Sequence, residues 1–172
     1  YAHGITTVVI GSNTYALVAS SDDDGVQIID ITTPGSPTAT ASFDDGDSDG
    51  SGGTFDELDG ARGITTVVIG SNTYALVASS VDDGVQIIDI TTPGSPTATA
   101  SFDDGDSDGS GGTFDELDGA RGITTVVIGS NTYALVASSA DNGVQIIDIT
   151  TPGSPTATAS FDDGDSDGSG GT

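Results

Sequence analysis

One stretch of the sequence, Gly25-Val-Gln-Ile-Ile-Asp-Ile-Thr-Thr-Pro-Gly-Ser-Pro37, recurs unchanged as Gly84–Pro96 and Gly143–Pro155. Its β-branched residues supply apolar groups to both faces of a strand, which indicates a strand covered on both sides. Pro34 cannot donate to a strand ladder, so the strand must end shortly before it. Asp30 precedes this turn, and its carboxylate is suited to accept backbone N–H bonds there. The stretch therefore predicts a buried strand followed by a tight turn.

The whole chain is a tandem repeat with a period of 59 residues. It divides into repeats 1–62, 63–121 and 122–172, of which the third is the shortest. Apart from the first few residues, the copies differ in one turn, which reads Asp22-Asp23-Asp24, Val81-Asp82-Asp83 and Ala140-Asp141-Asn142. Because this turn varies while the rest is fixed, we expect an exposed hairpin tip without a shared ligand role. A period this long favours a repeat architecture.

Each repeat contains the same succession of strand patterns. In the first repeat these are Ile5–Ile10, Tyr15–Ser20, Val26–Ile31 and Thr38–Phe43. The last strand alternates polar and apolar residues, which suits the outer edge of a sheet. The strand regions span residues 5–43, 64–102 and 123–161, and the acidic loops that follow them are 44–62, 103–121 and 162–172. We predict an all-β fold of tandem four-stranded antiparallel meanders of the β-propeller-blade type, three per chain, that cover one another by stacking.

Segments of each repeat resemble the LVIVD repeat family, namely Tyr15-Ala-Leu-Val-Ala19, Gly25-Val-Gln-Ile-Ile-Asp-Ile31 and Pro34-x-x-Pro37. That family has a β-propeller-type repeat and occurs in surface and secreted proteins. The longer 59-residue unit is similar to tandem repeats in large extracellular proteins of marine microbes. The resemblance implies a propeller-type fold and an extracellular or cell-surface location, and it carries over no catalytic motif.

The charge of the chain excludes several classes of partner. The formal net charge is −25, and the cationic residues besides His3 are Arg62 and Arg121. Because these cannot neutralise a phosphate backbone or an anionic lipid surface, we expect no nucleic-acid partner and no membrane binding. No apolar run approaches the ~20 residues that span a bilayer, which predicts no membrane insertion. Such acidity favours a saline or calcium-rich exterior, and the missing initiator Met suggests a mature or excised part of a longer product.

The acidic loops have the ligand spacing of a calcium loop. In the first loop the candidate ligands are Asp45, Asp47, Asp49, Ser51 and Asp56. Alternating carboxylates in a Gly-rich turn can converge on a hard cation, so the loops predict Ca²⁺ sites. The equivalent residues are Asp104, Asp106, Asp108, Ser110 and Asp115, and in the shorter third loop Asp163, Asp165, Asp167 and Ser169. The alternative is a disordered acidic linker.

The terminal repeats carry no polar caps, which repeat arrays usually need. Three blades do not close a ring, since propellers have about four to eight. We therefore predict that the chain associates with itself, either as two chains in one ring or as many chains running head to tail in a filament. A third possibility is that the sequence is a segment of a longer chain with more repeats.

Taken together, these features predict a non-enzymatic, extracellular structural repeat protein that is stabilised by calcium and self-associates, such as a filament, surface-layer or adhesin component. One alternative is a ligand- or glycan-binding propeller, with binding at the loop ends of the repeats. Tyr15, Tyr74 and Tyr133 are candidates for lining a glycan site, although their place inside a strand favours packing. The other alternative is an enzyme. It is disfavoured because His3 is the single histidine, cysteine and lysine are absent, and near-identical repeats offer no unique site.

Overall fold

The computed structural model describes residues 1–164, which form three four-stranded antiparallel sheets in tandem. The strands are β1 Ala2–Ile10, β2 Asn13–Ser20, β3 Gly25–Asp30, β4 Thr38–Asp44, β5 Ala61–Ile69, β6 Asn72–Ser79, β7 Gly84–Asp89, β8 Thr97–Asp103, β9 Ala120–Ile128, β10 Asn131–Ser138, β11 Gly143–Asp148 and β12 Thr156–Phe161. Each sheet joins its strands in chain order, and we call the three sheets blades 1, 2 and 3. The predicted all-β fold is confirmed. Residues 1–164 contain no helix that could span a membrane.

The first strand of each blade is longer than the sequence pattern predicted. In β1, pairing with β2 continues past Ile5 to Ala2, which lies opposite Ser20 across a bulge next to Gly4. The β1–β2 hairpin turns at Gly11, whose φ of 63° is a left-handed conformation that glycine adopts without strain. The same register and bulge recur in the first hairpin of blades 2 and 3. Identical sequences therefore build the same sheet three times.

Each blade has two apolar faces, because successive strand residues point to opposite sides. The front face of blade 1 consists of Leu17, Ala19, Val26, Ile28 and Phe43. The back face of blade 2 consists of Ile64, Ala75, Val77, Ile88 and Ile90. These two faces pack together in one buried core, and the front face of blade 2 packs on the back face of blade 3 in a second core. The hydrophobic cores thus lie between blades, at what we call the first and second junctions.

Glycines set the distance between the first strands of neighbouring blades. A Cβ on Gly4 in β1 would clash with the carbonyl oxygen of Arg62 in β5. A Cβ on Gly63 in β5 would clash in the same way with the carbonyl oxygen of Arg121 in β9. The equivalent Gly122 in β9 would meet only an atom of its own blade within 4 Å. The glycine at this position therefore allows its strand to lie close to the first strand of the next blade, wherever another blade follows.

Two blade faces are not covered by another blade in residues 1–164. The open back face, on blade 1, consists of Ile5, Ala16, Val18, Ile29 and Ile31, and the open front face, on blade 3, consists of Leu135, Ala137, Val144, Ile146 and Phe161. Ile5 is 70% exposed, whereas its equivalent Ile64 is 8% exposed. Phe161 is 54% exposed, whereas Phe102 is 4% exposed. The same residue is therefore core or surface according to whether a blade packs on it.

Candidate functional site at the blade junctions

An acidic, glycine-rich linker crosses each junction, at residues 45–60 and again at 104–119. An aromatic residue anchors the first linker, because Phe55 is 2% exposed and stacks on Phe43 with ring centroids 4.3 Å apart. Leu58 is fully buried in the same core. The second linker repeats this arrangement. Both linkers are thus ordered parts of the junctions, and the alternative of a disordered acidic linker does not describe them.

A buried glutamine in the third strand of the following blade holds the linker from the other side. Gln86 Oε1 accepts the backbone N–H groups of Asp56 (3.0 Å) and Glu57 (3.3 Å). Its Nε2 donates to the carbonyl oxygen of Ala100 at 2.9 Å. Ser79 Oγ donates to the carbonyl oxygen of Glu57 at 2.7 Å. Gln86 was not among the residues predicted from the sequence, although a long amide side chain among the β-branched residues of β7 was an available signal.

The second junction repeats these contacts around Gln145. Its Oε1 accepts the backbone N–H groups of Asp115 (3.0 Å) and Glu116 (3.2 Å). Ser138 Oγ donates to the carbonyl oxygen of Glu116 at 2.7 Å. The equivalent Gln27 in blade 1 is exposed, because no linker packs on it in the part of the chain that the structure describes. Glutamine at this position is therefore a linker-binding residue in two blades and a surface residue in one.

The variable turn between the second and third strands also binds the linker. Asp24 has a φ of 49° and accepts the N–H of Gly60 at Oδ1 (3.0 Å). Asp83 has a φ of 56° and accepts the N–H of Gly119 (2.7 Å). Asn142 takes this place in blade 3 with a φ of 57°. Asp and Asn tolerate this left-handed conformation better than other side chains. The turn therefore binds the linker through its last position in blades 1 and 2 and through its middle position in blades 2 and 3, and its having no shared ligand role stays a prediction.

The third carboxylate of the predicted calcium loop binds backbone N–H groups. Asp49 Oδ1 accepts from Ser51 (2.7 Å) and Gly53 (2.9 Å), and its Oδ2 accepts from Ala98 of blade 2 (3.2 Å). These hydrogen bonds, that of Ser51 first, favour the ionised form and hold the pKa of Asp49 below its ordinary value. Asp108 makes the equivalent contacts with blade 3. This carboxylate therefore ties the linker to the outer strand of the next blade.

The remaining predicted ligands lie spread along the first linker. Asp45 Oδ1 accepts the N–H of Leu58, and Asp47 Oδ2 accepts the N–H of Asp44, both at 3.1 Å. The residues Ser51 and Asp56 are exposed. The equivalent residues in the second linker are Asp104, Asp106, Ser110 and Asp115. The first linker therefore uses several predicted ligands to fix its own backbone.

The third acidic loop is described only at its start. Asp163 is exposed, and the predicted ligands Asp165, Asp167 and Ser169 lie outside the described residues. Among residues 1–164, no group of three or more acidic or histidine side chains is arranged to hold a metal ion. Calcium binding by the loops stays a prediction.

The largest pKa change described among these carboxyl groups lies where the first linker meets blade 2. Burial, and then the charges of Asp82, Asp103, Asp45 and Asp106, raise the pKa of Glu57 to about 8. Glu57 Oε2 is buried and has no hydrogen-bond partner among residues 1–164. Burial also raises the pKa of Asp82 to about 6. Of the surrounding residues, Asp45 and Asp106 are predicted calcium ligands. We call Glu57 and these four aspartates the junction carboxylates, because the charges of the aspartates raise the pKa of Glu57.

The tyrosines that were considered for a glycan site take part in packing. Tyr15 packs against the first core and Tyr74 against the second. Tyr133, the equivalent residue in blade 3, is half-buried. The positions of Tyr15 and Tyr74 in their strands are therefore accounted for by packing at the junctions.

The repeat that builds these junctions matches a known family model. The model described as the LVIVD repeat matches residues 3–45, 62–104 and 121–163, which together make up more than half of the chain. The chain belongs to the LVIVD repeat family. Each match coincides closely with the four strands of one blade, so one LVIVD repeat is one blade. The resemblance seen in the sequence is confirmed. No match was found among curated proteins.

Solved structures with the same fold have low sequence identity to this LVIVD chain. A functionally unknown protein from Desulfotomaculum acetoxidans has a TM-score of 0.59 and 20% identity over 95% of this chain and 43% of its own. A Lactobacillus plantarum protein has a TM-score of 0.57 and 16% identity over 89% and 40%. An exo-beta-1,3-galactanase from Phanerochaete chrysosporium has a TM-score of 0.58 and 14% identity over 92% and 37%. These likenesses show a β-propeller-like fold, and this chain spans less than half of each of those chains.

Proposed function

We propose that this LVIVD chain is a non-catalytic structural repeat protein of the cell exterior that assembles with copies of itself through its two open blade faces. One observation carries the proposal: the open faces are made of the residues that form the internal junctions. A non-catalytic role is supported by the sequence, in which His3 is the single histidine and cysteine and lysine are absent. The proposal includes calcium as the ion that stabilises the junctions.

The internal junctions are a template for contact between chains. Val85 and Phe102 of blade 2 are 0% and 4% exposed under blade 3, whereas their equivalents Val144 and Phe161 are 36% and 54% exposed. Burying an apolar side chain of this size contributes about 1.5–3 kcal/mol. The open front face has the residues needed to bury these side chains against the open back face of another copy. This head-to-tail contact uses two different surfaces, so it extends into a filament or closes into a ring.

The charge of the chain determines the conditions under which such pairing is favourable. A formal net charge of −25 makes identical chains repel one another. Salt screens this repulsion, with a Debye length of ~10 Å at 0.1 M ionic strength. Self-association is therefore expected to strengthen with salt. The acidity, rather than membership in the repeat family, is what supports a saline or calcium-rich exterior as the location.

Calcium would act on the repulsion within the chain at the junction carboxylates. Glu57 is surrounded there by Asp82, Asp103, Asp45 and Asp106, each of which raises its pKa. Like charges held this close oppose a compact junction, and a divalent cation among them removes part of that cost. Binding to the folded state then stabilises it by mass action. We expect modest affinity, with a dissociation constant of about 10⁻⁴–10⁻³ M as in extracellular calcium modules.

The assembly proposal is tested by measuring particle mass against concentration. We expect the mass of the wild-type chain to rise above that of the monomer between micromolar and millimolar concentration in high salt. Gly122→Val should stay monomeric with an unchanged melting temperature, because a Cβ on Gly122 makes only an ordinary contact with Ala137, whereas a Cβ on the equivalent Gly63 would clash with the next blade. Gly35→Ala, which adds a methyl group where no atom lies within 4 Å, should assemble like the wild type. A wild-type chain that remains monomeric throughout contradicts the proposal.

The calcium proposal is tested by thermal melts in calcium and in chelator. We expect calcium to raise the melting temperature. The double variant Asp45→Asn with Asp104→Asn should reduce this increase, because it removes charge while an amide oxygen can still accept the N–H of Leu58 or Leu117. Asp22→Asn, which removes one charge and the ion pair with the Tyr1 amino group in an exposed turn, is the control and should leave the increase unchanged. Identical melting temperatures in calcium and chelator would rule out a stabilising ion.

A further inference from the structure

A groove of about 440 Å³ lies along one edge of blade 1, and its lining includes Ser20, Asp23, Gly25 and Gln27. It borders the open back face and is built from the β2–β3 hairpin, with Asp44 of β4 at one side. We call it the blade 1 groove. Its chemistry can be read from the two other blades, because the same residues occur there at the same positions.

In blade 2 the equivalent positions hold the first linker. Ser79, the equivalent of Ser20, donates to the carbonyl oxygen of Glu57 (2.7 Å). Gln86, the equivalent of Gln27, accepts two backbone N–H groups of the linker. Asp82, the equivalent of Asp23, accepts the N–H of Asp59 at Oδ2 (2.7 Å). Three side chains therefore bind the backbone of one segment, Phe55-Asp-Glu-Leu-Asp59.

In blade 3 the same side chains hold the second linker in the same way. Ser138 and Gln145 bind Glu116 and its neighbour, as described above. Asp141 Oδ2 accepts the N–H of Asp118 at 2.7 Å. The segment bound is again Phe-Asp-Glu-Leu-Asp, at residues 114–118. Two independent copies of the groove thus have the same occupant.

We propose that the blade 1 groove is a binding site for an acidic Phe-Asp-Glu-Leu-Asp segment supplied by a linker of another unit of this repeat. Gln27 Oε1 would accept two backbone N–H groups of the segment. Ser20 Oγ would donate to a carbonyl oxygen, and Asp23 Oδ2 would accept a further N–H. In the free groove Ser20 Oγ donates to Asp23 Oδ2 at 3.0 Å. Binding therefore exchanges one hydrogen bond between these side chains for one bond from each to the segment.

The groove also accommodates the glutamate side chain of the segment. A Cβ on Gly84 would lie 2.5 Å from Glu57 Oε2, so the glutamate passes over a position that must lack a side chain. Gly143 stands in the same relation to Glu116, and in blade 1 the Asp44 carboxylate lies over Gly25, so it would have to move aside for the glutamate. The missing side chain at this glycine therefore makes room for the glutamate of the segment, which in blade 1 would displace the Asp44 carboxylate.

The blade 1 groove and the segment that it would bind both carry negative charge. The segment carries acidic side chains, and the groove contains Asp23 and Asp44. Because like charges repel, added salt should strengthen binding, whereas it weakens most charged peptide interactions. Part of the linker's contacts, such as the stacking of Phe55 on Phe43, come from the preceding blade. An isolated peptide lacks these contacts, so we expect it to bind weakly and to saturate only at high concentration.

The test is a fluorescence anisotropy titration of the full chain into a labelled peptide, Gly-Gly-Thr-Phe-Asp-Glu-Leu-Asp-Gly, in high salt. We expect saturable binding that is roughly tenfold weaker for Gln27→Ala, because two backbone N–H groups of the segment lose their acceptor. Gln27 is exposed in the chain, so this variant should fold normally. Ser12→Ala, in the exposed β1–β2 turn, is the matched control and should bind like the wild type.

A peptide of the same composition in scrambled order should bind at least tenfold more weakly. Equal binding of the two peptides, equal binding to the wild type and Gln27→Ala, or no saturable binding at millimolar concentration would each overturn the proposal. The titration does not require whole chains to pair. It can therefore succeed when chains stay monomeric, and it can fail when they assemble, so the two proposals are tested separately.

Discussion

Blades 2 and 3 have nearly the same sequence, yet their front faces differ in structure. Phe102 in blade 2 is 4% exposed, whereas the equivalent Phe161 in blade 3 is 54% exposed. The residues are identical, so their own propensities cannot explain the difference. The second linker and blade 3 cover the face of blade 2. Burial is therefore a property of the junction and not of the repeat, as in other repeat proteins whose stability comes from nearest neighbours.

Truncating the two equivalent phenylalanines should give the largest contrast. We expect Phe102→Ala to lower the free energy of unfolding by about 3–5 kcal/mol, because it removes a buried ring that stacks on Phe114. Phe161→Ala should cost less than about 1 kcal/mol, since that ring is largely in solvent. Urea denaturation of both variants at a concentration where the chain is monomeric measures the difference. Equal losses would show that blade 3 buries its front face by another route.

The linker-binding glutamines provide a smaller contrast. Gln86→Ala should lower the free energy of unfolding by about 1–3 kcal/mol, because the N–H groups of Asp56 and Glu57 lose a buried acceptor. Gln27→Ala, on the exposed blade 1 groove, should change it by less than about 0.5 kcal/mol. Thermal melts of the two variants make the comparison. If Gln27→Ala is as damaging as Gln86→Ala, the glutamine acts within its own blade and not on the linker.

The pH dependence of stability should distinguish the carboxyl groups of the first junction from those of the exposed loops. Burial raises the pKa of Glu57 to about 8 from an ordinary value of 4.5, so the folded state binds this proton more tightly than the unfolded state. The stabilisation is complete below the ordinary value and is lost as the pH rises through about 8. The raised pKa of Asp82 likewise lowers the stability as the pH rises from 3.8 to about 6. Stability should therefore increase when the pH is lowered from 8 to 5.

Glu57→Gln tests this dependence. We expect it to raise the free energy of unfolding at alkaline pH by about 1 kcal/mol, a value reduced from the full shift because the side chain is partly solvated. The pH dependence should become shallower at the same time. The control is Asp56→Asn, the adjacent exposed acidic residue, which should leave the profile unchanged. A profile that is the same in the wild type and Glu57→Gln would mean that Glu57 does not titrate at the junction.

The fold could be predicted from the sequence because its determinants are local and repeated. The β-branched stretch Gly25–Ile31 indicated a strand covered on both faces, and the 59-residue period indicated stacking units. Both are properties of neighbouring residues or of self-alignment. The open faces were also predictable, because the first and third repeats have the same sequence as the middle one.

The roles of the acidic residues could not be predicted from spacing alone. Asp49 has the spacing of a metal ligand, but its carboxylate accepts the N–H of Ala98, which belongs to the next blade. Gln86 acts on Asp56 and Glu57 across the junction. Such contacts depend on how one blade sits on the next, which no pattern within a single repeat contains. The sequence shows which residues are available, and the packing of blades determines what each of them binds.

The central claim is that the open front face of one chain pairs with the open back face of another. Mixing two end-blocked variants tests it most directly: Gly122→Val, which blocks the open front face, and Ile5→Glu, which places a charge on the open back face. Each variant alone should remain monomeric, because its remaining open face has no complement. An equimolar mixture, examined by native mass spectrometry in high salt, should form a one-to-one dimer and nothing larger. A mixture that stays monomeric while the wild type assembles, or a variant that assembles alone, would contradict the account.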